Sequence, residues 1–347
     1  MLVLGIESSC DETAAAVVED ACRVRSSAVA SQVDIHARFG GVVPELAGRA
    51  HVEAILPAIT RALDEAGVTL DDLEAIAVGH RPGLVGALLV GVAAAKSLAW
   101  TLGVPLIGVD HVQAHLYAGL LGRSEPRWPA LGLVVSGGHT TLYRCEAPHR
   151  LSRLGSTIDD AVGEAYDKAA STLGLAYPGG PEIDRLAELP GADDRAVDLP
   201  ISRLAPGSLD LSFSGLKTSL LYAARGVPGG RDRAAPPELT PERVRDLAAS
   251  FQRAAVKAIM LKLERAFEHV GGTEACPTLL TGGGVTANTR LRRDLAEFAE
   301  QRGLDLRLPE LRFCVDNAAM IAGLGARRLA EGERSGLDLE AVPVAAC

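Results

Sequence analysis

The sequence predicts an α/β protein built from two related halves. Three observations carry that expectation. Short β-branched runs alternate with longer helical ones along the 347 residues. A strand–turn–strand at the N-terminus, residues 2–18 (LVLGIE-SSCDET-AAAVV), is echoed at 131–145 (LGLVV-SGGHT-TLYRC). The length is also sufficient for two domains with substantial cores.

Taken in order, the strands are expected at Leu2–Glu7, Ala14–Val18, Ala75–Val78, Leu106–Val109, Leu131–Val135, Thr141–Arg144 and Thr278–Thr281. Helices are expected at Glu45–Ala66, Leu84–Leu102, Val112–Leu120, Pro241–Val270, Ala287–Gln301 and Asn317–Ala330. The helix from Pro241 has the best signals. Thr240 can cap it, proline suits its first position, and Val244, Leu247, Phe251, Ile259, Leu263 and Phe267 recur at helical spacing. Two halves that each open with a strand–turn–strand carrying small hydroxyl residues follow the plan of the actin, hexokinase and Hsp70 nucleotide-binding fold. Two unrelated hairpins would look the same. Turn formers gather at Leu121–Pro129, Leu189–Ser208 and Arg225–Pro237, which reads as three flexible joints. The first is the expected boundary between domains 1–121 and 122–330, with the last helix free to pack back on the first, and 331–347 is expected to be a flexible tail.

Composition narrows the function. Apolar residues make up 48% of the chain, and the longest apolar run, Leu84 to Ala95, is twelve residues with two glycines. A bilayer span needs roughly 20 residues, so no membrane partner is expected. The N-terminus enters an apolar strand without a basic stretch, unlike a secretory signal. Six cysteines lie scattered without a CxxC pair and read as reduced thiols, which fits the cytoplasm. The formal charge of −9 speaks against nucleic acid, whose phosphates need positive charge. Lys168 and Lys217 stand out because only five of the 35 basic residues are lysines.

The segment Asp110-His111-Val112-Gln113-Ala114-His115 follows a strand. A spacing of four puts His111 and His115 on one helical face, where both imidazoles can reach one ion, and Asp110 can cap the helix. Two surface histidines would have the same spacing. Val112 occupies the position where HExxH would carry its general base, which disfavours zinc-protease chemistry. A third ligand must come from elsewhere, and Asp316 is a candidate, although N-capping of the last helix is the simpler reading of that residue. Two His and one carboxylate suit iron or zinc and leave open coordination positions. Ser136-Gly137-Gly138-His139-Thr140 joins two strands and can form an anion-binding nest, or be an ordinary hairpin turn. In Thr281-Gly282-Gly283-Gly284-Val285-Thr286-Ala287-Asn288 a strand runs through three glycines into a helix, which suits a phosphate or nucleotide. Tyr177-Pro178-Gly179-Gly180-Pro181 reads as a rigid feature or a loop. None matches GxGxxG or a P-loop.

Together these pieces resemble the TsaD family of bacterial threonylcarbamoyltransferases. Glu7-Ser8-Ser9-Cys10-Asp11-Glu12-Thr13 is similar to the family's ETSCDET opening. Gly40 to Ala47 (GGVVPELA), DHVQAH, SGGHT, Gly163 to Lys168 (GEAYDK), YPGGP, Ser212 to Thr218 (SFSGLKT), GGGVTAN and CVDN follow in the family's order, from about residue 2 to about residue 330. The resemblance implies the two-lobed actin-like ATPase fold. It implies His111, His115 and Asp316 as ligands of one divalent metal, with iron (Fe2+) favoured over zinc. It implies Val134, Val135, Ser136, Gly137, Gly138, Asp167, Gly180, Asp184 and Asn288 as nucleotide and substrate contacts, and Asp11 and Glu12 as acidic residues near the reacting centre. The activity implied is transfer of L-threonylcarbamoyl from its adenylate to the exocyclic amine of the adenosine beside the anticodon of tRNA, releasing AMP. The nucleotide would be threonylcarbamoyl-AMP, with ATP or ADP as the alternative. The implied partners are tRNA and homologues of TsaB and TsaE, with the donor supplied by a TsaC homologue. A local basic patch or a partner would answer the charge objection. Three departures stand out. Arg81-Pro82-Gly83 replaces the usual Gly-Pro-Gly, Ala318 replaces a glycine, and the chain beyond Ala330 is unmatched. A sugar kinase of the same fold and a degenerate dimerisation scaffold are the rivals. The first leaves the His–His–Asp set without work, and the second would be expected to have lost it.

Overall fold

A computed structural model of the protein describes residues 1–226 and 238–344. The chain divides into two compact units, one of Met1–Pro126, Cys145–Leu151 and Pro309–Cys347, the other of Arg127–Arg144 and Ser152–Leu308.

In the first unit, strands β1 (Leu2–Glu7), β2 (Glu12–Glu19) and β3 (Arg23–Ser31) form an antiparallel meander. A short helix α1 (Val33–His36) and the long α2 (Pro44–Ala66) lead to β4 (Ala75–Arg81), then α3 (Val85–Leu102), β5 (Leu106–Asp110) and α4 (His111–Tyr117). The sheet order is β3-β2-β1-β4-β5, with β4 parallel to both β1 and β5. Alternate residues of β1 explain what covers each face. Leu4 and Ile6 join Ile55, Ile59 and Leu63 of α2 and Val92 of α3 in one apolar core. Helix α3 is long and apolar enough, by length and composition, to cross a membrane. It packs on β4 and α2 through Ala87, Leu88, Val92, Ala95 and Ala99, while Val85, Leu89 and Trp100 stay exposed.

The second unit repeats this plan. Strands β6 (Ala130–Val135), β7 (Thr140–Ala147) and β8 (Arg150–Ser156), the last two apart from their shared end at Cys145–Leu151, precede helices α5 (Val162–Leu173), α6 (Gly179–Ala187), α7 (Ser214–Arg225), α8 (Pro241–His269) and α9 (Gly272–Ala275). Strand β9 (Thr278–Gly282), helix α10 (Thr289–Arg302) and strand β10 (Asp305–Arg307) complete it. The order β8-β7-β6-β9-β10 is that of the first sheet, with the third, second, first, fourth and fifth strands side by side. The echoed strand–turn–strands are therefore the first two strands of equivalent sheets. Helix α8 begins as its signals predict, Thr240 accepting a hydrogen bond from the Arg243 amide at 3.3 Å.

Helix α11 (Ala318–Ala330) returns to the first unit and packs on β1, β2 and β4. Gly5 and Gly325 allow that approach. A Cβ at Gly5 would lie 2.8 Å from the Ala322 Cβ, and one at Gly325 would lie 2.5 Å from the Ala77 Cβ.

Two expectations need correction. The segment after Ala330 is not a loose tail over its described residues. The Ser335 amide donates to the Leu106 carbonyl at 2.8 Å and the Val342 amide to the His80 carbonyl at 2.9 Å. A bridge to the free edge of β5 at Leu106 and a backbone bond to His80 of β4 order it, and composition does not reveal such contacts. The joint expected at Leu189–Ser208 has little regular structure but is pinned. Arg253 Nε donates to the Asp194 carbonyl at 2.6 Å, and Lys262 Nζ to the carbonyls of Arg203 and Ser208 at 2.8 and 2.7 Å. Most of the joint expected at Arg225–Pro237 lies outside the described residues.

Candidate metal centre and glycine turns

The metal candidates converge within the first unit. Asp110, the last residue of β5, caps α4 through Oδ1, which accepts from the amides of Val112 and Gln113 at 3.0 and 3.2 Å. That cap fixes where α4 begins, so His111 and His115 stack one turn apart with ring centroids 4.5 Å from each other. Arg81, the departure from the family's pattern, pairs with the other Asp110 oxygen at 3.3 Å and so braces the same cap.

The carboxylate comes from the far end of the chain. Asp316 does not cap α11. That task falls to Asn317, whose Oδ1 accepts from the Met320 amide at 3.0 Å. Asp316 is left facing the imidazoles, its Oδ1 3.4 Å from His111 Nε2 and 3.2 Å from His115 Nε2. One ligand atom from each of the three residues lies within 4.8 Å of the others. His115 is fully buried, and neither ring nitrogen makes a hydrogen bond. An imidazole left unsatisfied in the interior is costly. A cation bound between the three side chains would remove that cost, and two nitrogens with one oxygen is a donor set that iron and zinc accept. The residues fit a metal.

The electrostatics agree. Burial would lower the His111 pKa, but the carboxylates of Asp316 and Glu7 outweigh it and hold the imidazole well above its ordinary value. Burial and the neighbouring His111 together lower that of His115. Burial would raise Asp316, but the His111 charge keeps it well below the usual carboxylate range.

Asp11 and Glu12 sit where β2 begins. Glu12 is pushed up to about 9, first by burial and then by the charges of Asp316 and Asp11. Its Oε1 accepts from the Ser31 hydroxyl at 3.4 Å. Two further residues reach the metal candidates without having been singled out. Glu7 Oε2 is 3.0 Å and Ser9 Oγ 3.2 Å from His111 Nδ1. The available signal was a charged residue closing an otherwise apolar strand.

The glycine turns meet in the second unit. The β6–β7 turn closes through the Ser136 amide on the His139 carbonyl at 2.7 Å, and the Gly163 amide donates to the Ser136 carbonyl at 3.2 Å. Gly283, at φ +96°, lies so close to the Val135 carbonyl that a Cβ would overlap it. Positions 137, 138 and 180 instead open into space with nothing within 4 Å of a Cβ. Val134 and Val135 are fully buried, so only their backbone can meet a ligand. Asp167 accepts from the Gly179 amide at 2.7 Å, which makes the YPGGP segment the start of α6 and not a loop. Asp184 and Asn288 bind each other at 2.9 Å. Asp184 also takes the Thr289 amide and hydroxyl, and Asn288 caps α10. Lys168 and Lys217 converge on Asp160 at 2.7 and 2.6 Å.

Comparison with known proteins places this arrangement. Full-length HypF in its phosphate- and nucleotide-bound form matches 96% of this chain with 47% of its own, at a TM-score of 0.59 and 13% identity. HypF of T. kodakarensis matches 97% of this chain and 48% of its own, at 0.58 and 17%. Component A of the (R)-2-hydroxyglutaryl-CoA dehydratase of Acidaminococcus fermentans matches 95% and 99%, at 0.50 and 12%. The fold and the side-chain cluster define the class: an actin-like ATPase fold that carries a candidate His–His–carboxylate metal centre. The family model for TsaD, tRNA N6-adenosine threonylcarbamoyltransferase, matches residues 23–323. The proteins of that name from Symbiobacterium thermophilum and Anaeromyxobacter dehalogenans are 49% and 50% identical to it. The first spans 99% of this chain and 96% of its own length, the second 98% of each. The chain belongs to the TsaD family and is an acyl-transferring enzyme that places the threonylcarbamoyl group on adenosine in tRNA.

Proposed function

We propose that His111, His115 and Asp316 hold one divalent metal, iron in preference to zinc, and that the glycine turns hold the adenylate of threonylcarbamoyl-AMP. The observation that carries the reading is the fully buried His115 ring, whose nitrogens make no well-formed hydrogen bond and whose Nε2 lies 3.2 Å from the Asp316 carboxylate. When bound, the metal supplies Lewis-acid polarisation of a donor oxygen.

The protein's own groups do the rest. The amine nitrogen of the adenosine attacks the carbamoyl carbon, the mixed-anhydride C–O bond breaks, and AMP leaves with the bonding pair. Because the donor is already activated, the work is positioning and charge stabilisation. The backbone at the exposed Gly137 and Gly138 and at the half-buried Gly284 suits the phosphate, and the open positions at Gly137, Gly138 and Gly180 give the nucleotide room. Asp184 and Asn288 act by fixing the start of α10, and Asp167 by fixing the start of α6. Asp11 and Glu12, where β2 begins, are the acidic groups that would orient the amine or take its proton. The adenosine is the one beside the anticodon in tRNAs reading codons that begin with A. TsaB and TsaE homologues assist in the cytoplasm, and a TsaC homologue supplies the donor.

The test is reconstitution: purified protein with TsaB and TsaE homologues, threonylcarbamoyl-AMP and unmodified tRNA, with nucleoside analysis and AMP release. Modification that depends on stoichiometric iron or zinc is the expected result. Full turnover in metal-stripped protein would remove the metal from the mechanism.

A further inference from the structure

Among the described residues of the first unit, Glu7 is the one carboxylate with no exposure to solvent, and its neighbours account for both of its oxygens. It closes β1, whose five preceding residues are apolar or glycine, and its residue is 0% exposed. Oε1 accepts from the Ser9 amide at 2.5 Å, so the turn after β1 clamps the carboxylate from below. Oε2 reaches His111 Nδ1 at 3.0 Å. The adjacent strand makes room for it. Gly79 of β4 has no side chain, and a Cβ there would lie 2.5 Å from the same Oε2.

We infer that Glu7 is a positioning residue for the metal centre, acting through His111. Ser9 and Gly79 hold the carboxylate in place. Accepting the Nδ1 proton fixes the His111 tautomer and ring plane, so that Nε2, the nitrogen 3.4 Å from Asp316, keeps its lone pair for the ion. His115 has no such support, since both of its ring nitrogens lack a hydrogen bond. The two imidazoles are therefore unequal, with His111 pre-aligned before the ion arrives. This inference rests on the reading of His111, His115 and Asp316 as metal ligands.

The experiment measures Zn2+ affinity by competition with a chromophoric chelator, and the Co2+ ligand-field spectrum, on the full chain. The variants are Glu7→Gln, Gly79→Ala and His115→Ala, each with its circular dichroism and thermal midpoint. Glu7→Gln keeps the size of the side chain but loses one acceptor, and should bind Zn2+ roughly 10- to 100-fold more weakly, with a shifted Co2+ band. Gly79→Ala keeps the charge and displaces it, so it should weaken binding in the same direction. His115→Ala should lose stoichiometric binding altogether. If His115→Ala loses the metal while folded Glu7→Gln binds it as the parent does, with an unchanged Co2+ band, the role of Glu7 is overturned and the metal centre stands. If His115→Ala binds as the parent does, the metal centre itself is wrong. Should Glu7→Gln fail to fold, Gly79→Ala decides, since unchanged affinity there overturns the inference.

Discussion

The two candidate regions of this protein are made of different material. The cluster in the first unit is made of side chains. Of the three proposed ligands His111 and His115 are buried and Asp316 partly so, Glu7 and Ser9 are buried, and the polar contacts are between named functional groups. The turns of the second unit are made of backbone, with glycines at 137, 138 and 180 leaving open space. A side-chain site is destroyed by deletion. A backbone site is insensitive to most deletions and is spoiled by addition.

The largest effect should come from deletion in the first region. Replacing both His111 and His115 with Ala removes two of three ligands and should reduce transfer by at least about a hundredfold, since polarisation by a metal is worth several kcal/mol. Circular dichroism should stay that of the parent, and metal analysis should find none bound. Addition in the second region comes next. Gly283→Ala puts a Cβ onto the Val135 carbonyl at φ +96° and should cost on the order of 1–3 kcal/mol in denaturant unfolding. Metal content should not change, which separates the two regions.

A smaller effect follows from Glu12. Its folded pKa of about 9 lies above that of the unfolded chain, so the native state holds an extra proton between the two values. The stability this supports is complete below the unfolded value, about 4.3, and is lost as pH rises through 9. In metal-free protein, Glu12→Gln should therefore gain in thermal midpoint over the parent as pH goes from 5 to 9. A flat difference would show that Glu12 is not held protonated. The smallest stability change should be at Gly137→Ala, within about 0.5 kcal/mol, because nothing surrounds the new methyl. AMP affinity, measured by calorimetry, should nevertheless fall several-fold if backbone approach is what holds the nucleotide.

The same division explains what the sequence made legible. His111 and His115 announced themselves through spacing, and Asp110 through its place at a helix start. Asp316 was a candidate third ligand, but a cap was the simpler local reading, because nothing local says that Asn317 takes that task. Strands β3, β8 and β10 were not anticipated, and all three are sheet edges, where polar alternation or brevity hides a strand. Helices α5, α6 and α7 were missed because glycine, proline and motif residues mask their periodicity. Glu7 was visible as a letter in a motif. Its role became visible only with Gly79 and His111 beside it, from 72 and 104 positions away in sequence.

Asp316 arrives on the polypeptide about two hundred residues after the histidines it faces. During synthesis the N-terminal sheet can be finished long before its third ligand has left the ribosome. A chain stopped before that point could fold much of itself yet own only a pair of imidazoles, and would also lack the helix that shields β1. With His111, His115 and Asp316 as the ligands proposed above, tight metal binding would then require the complete chain.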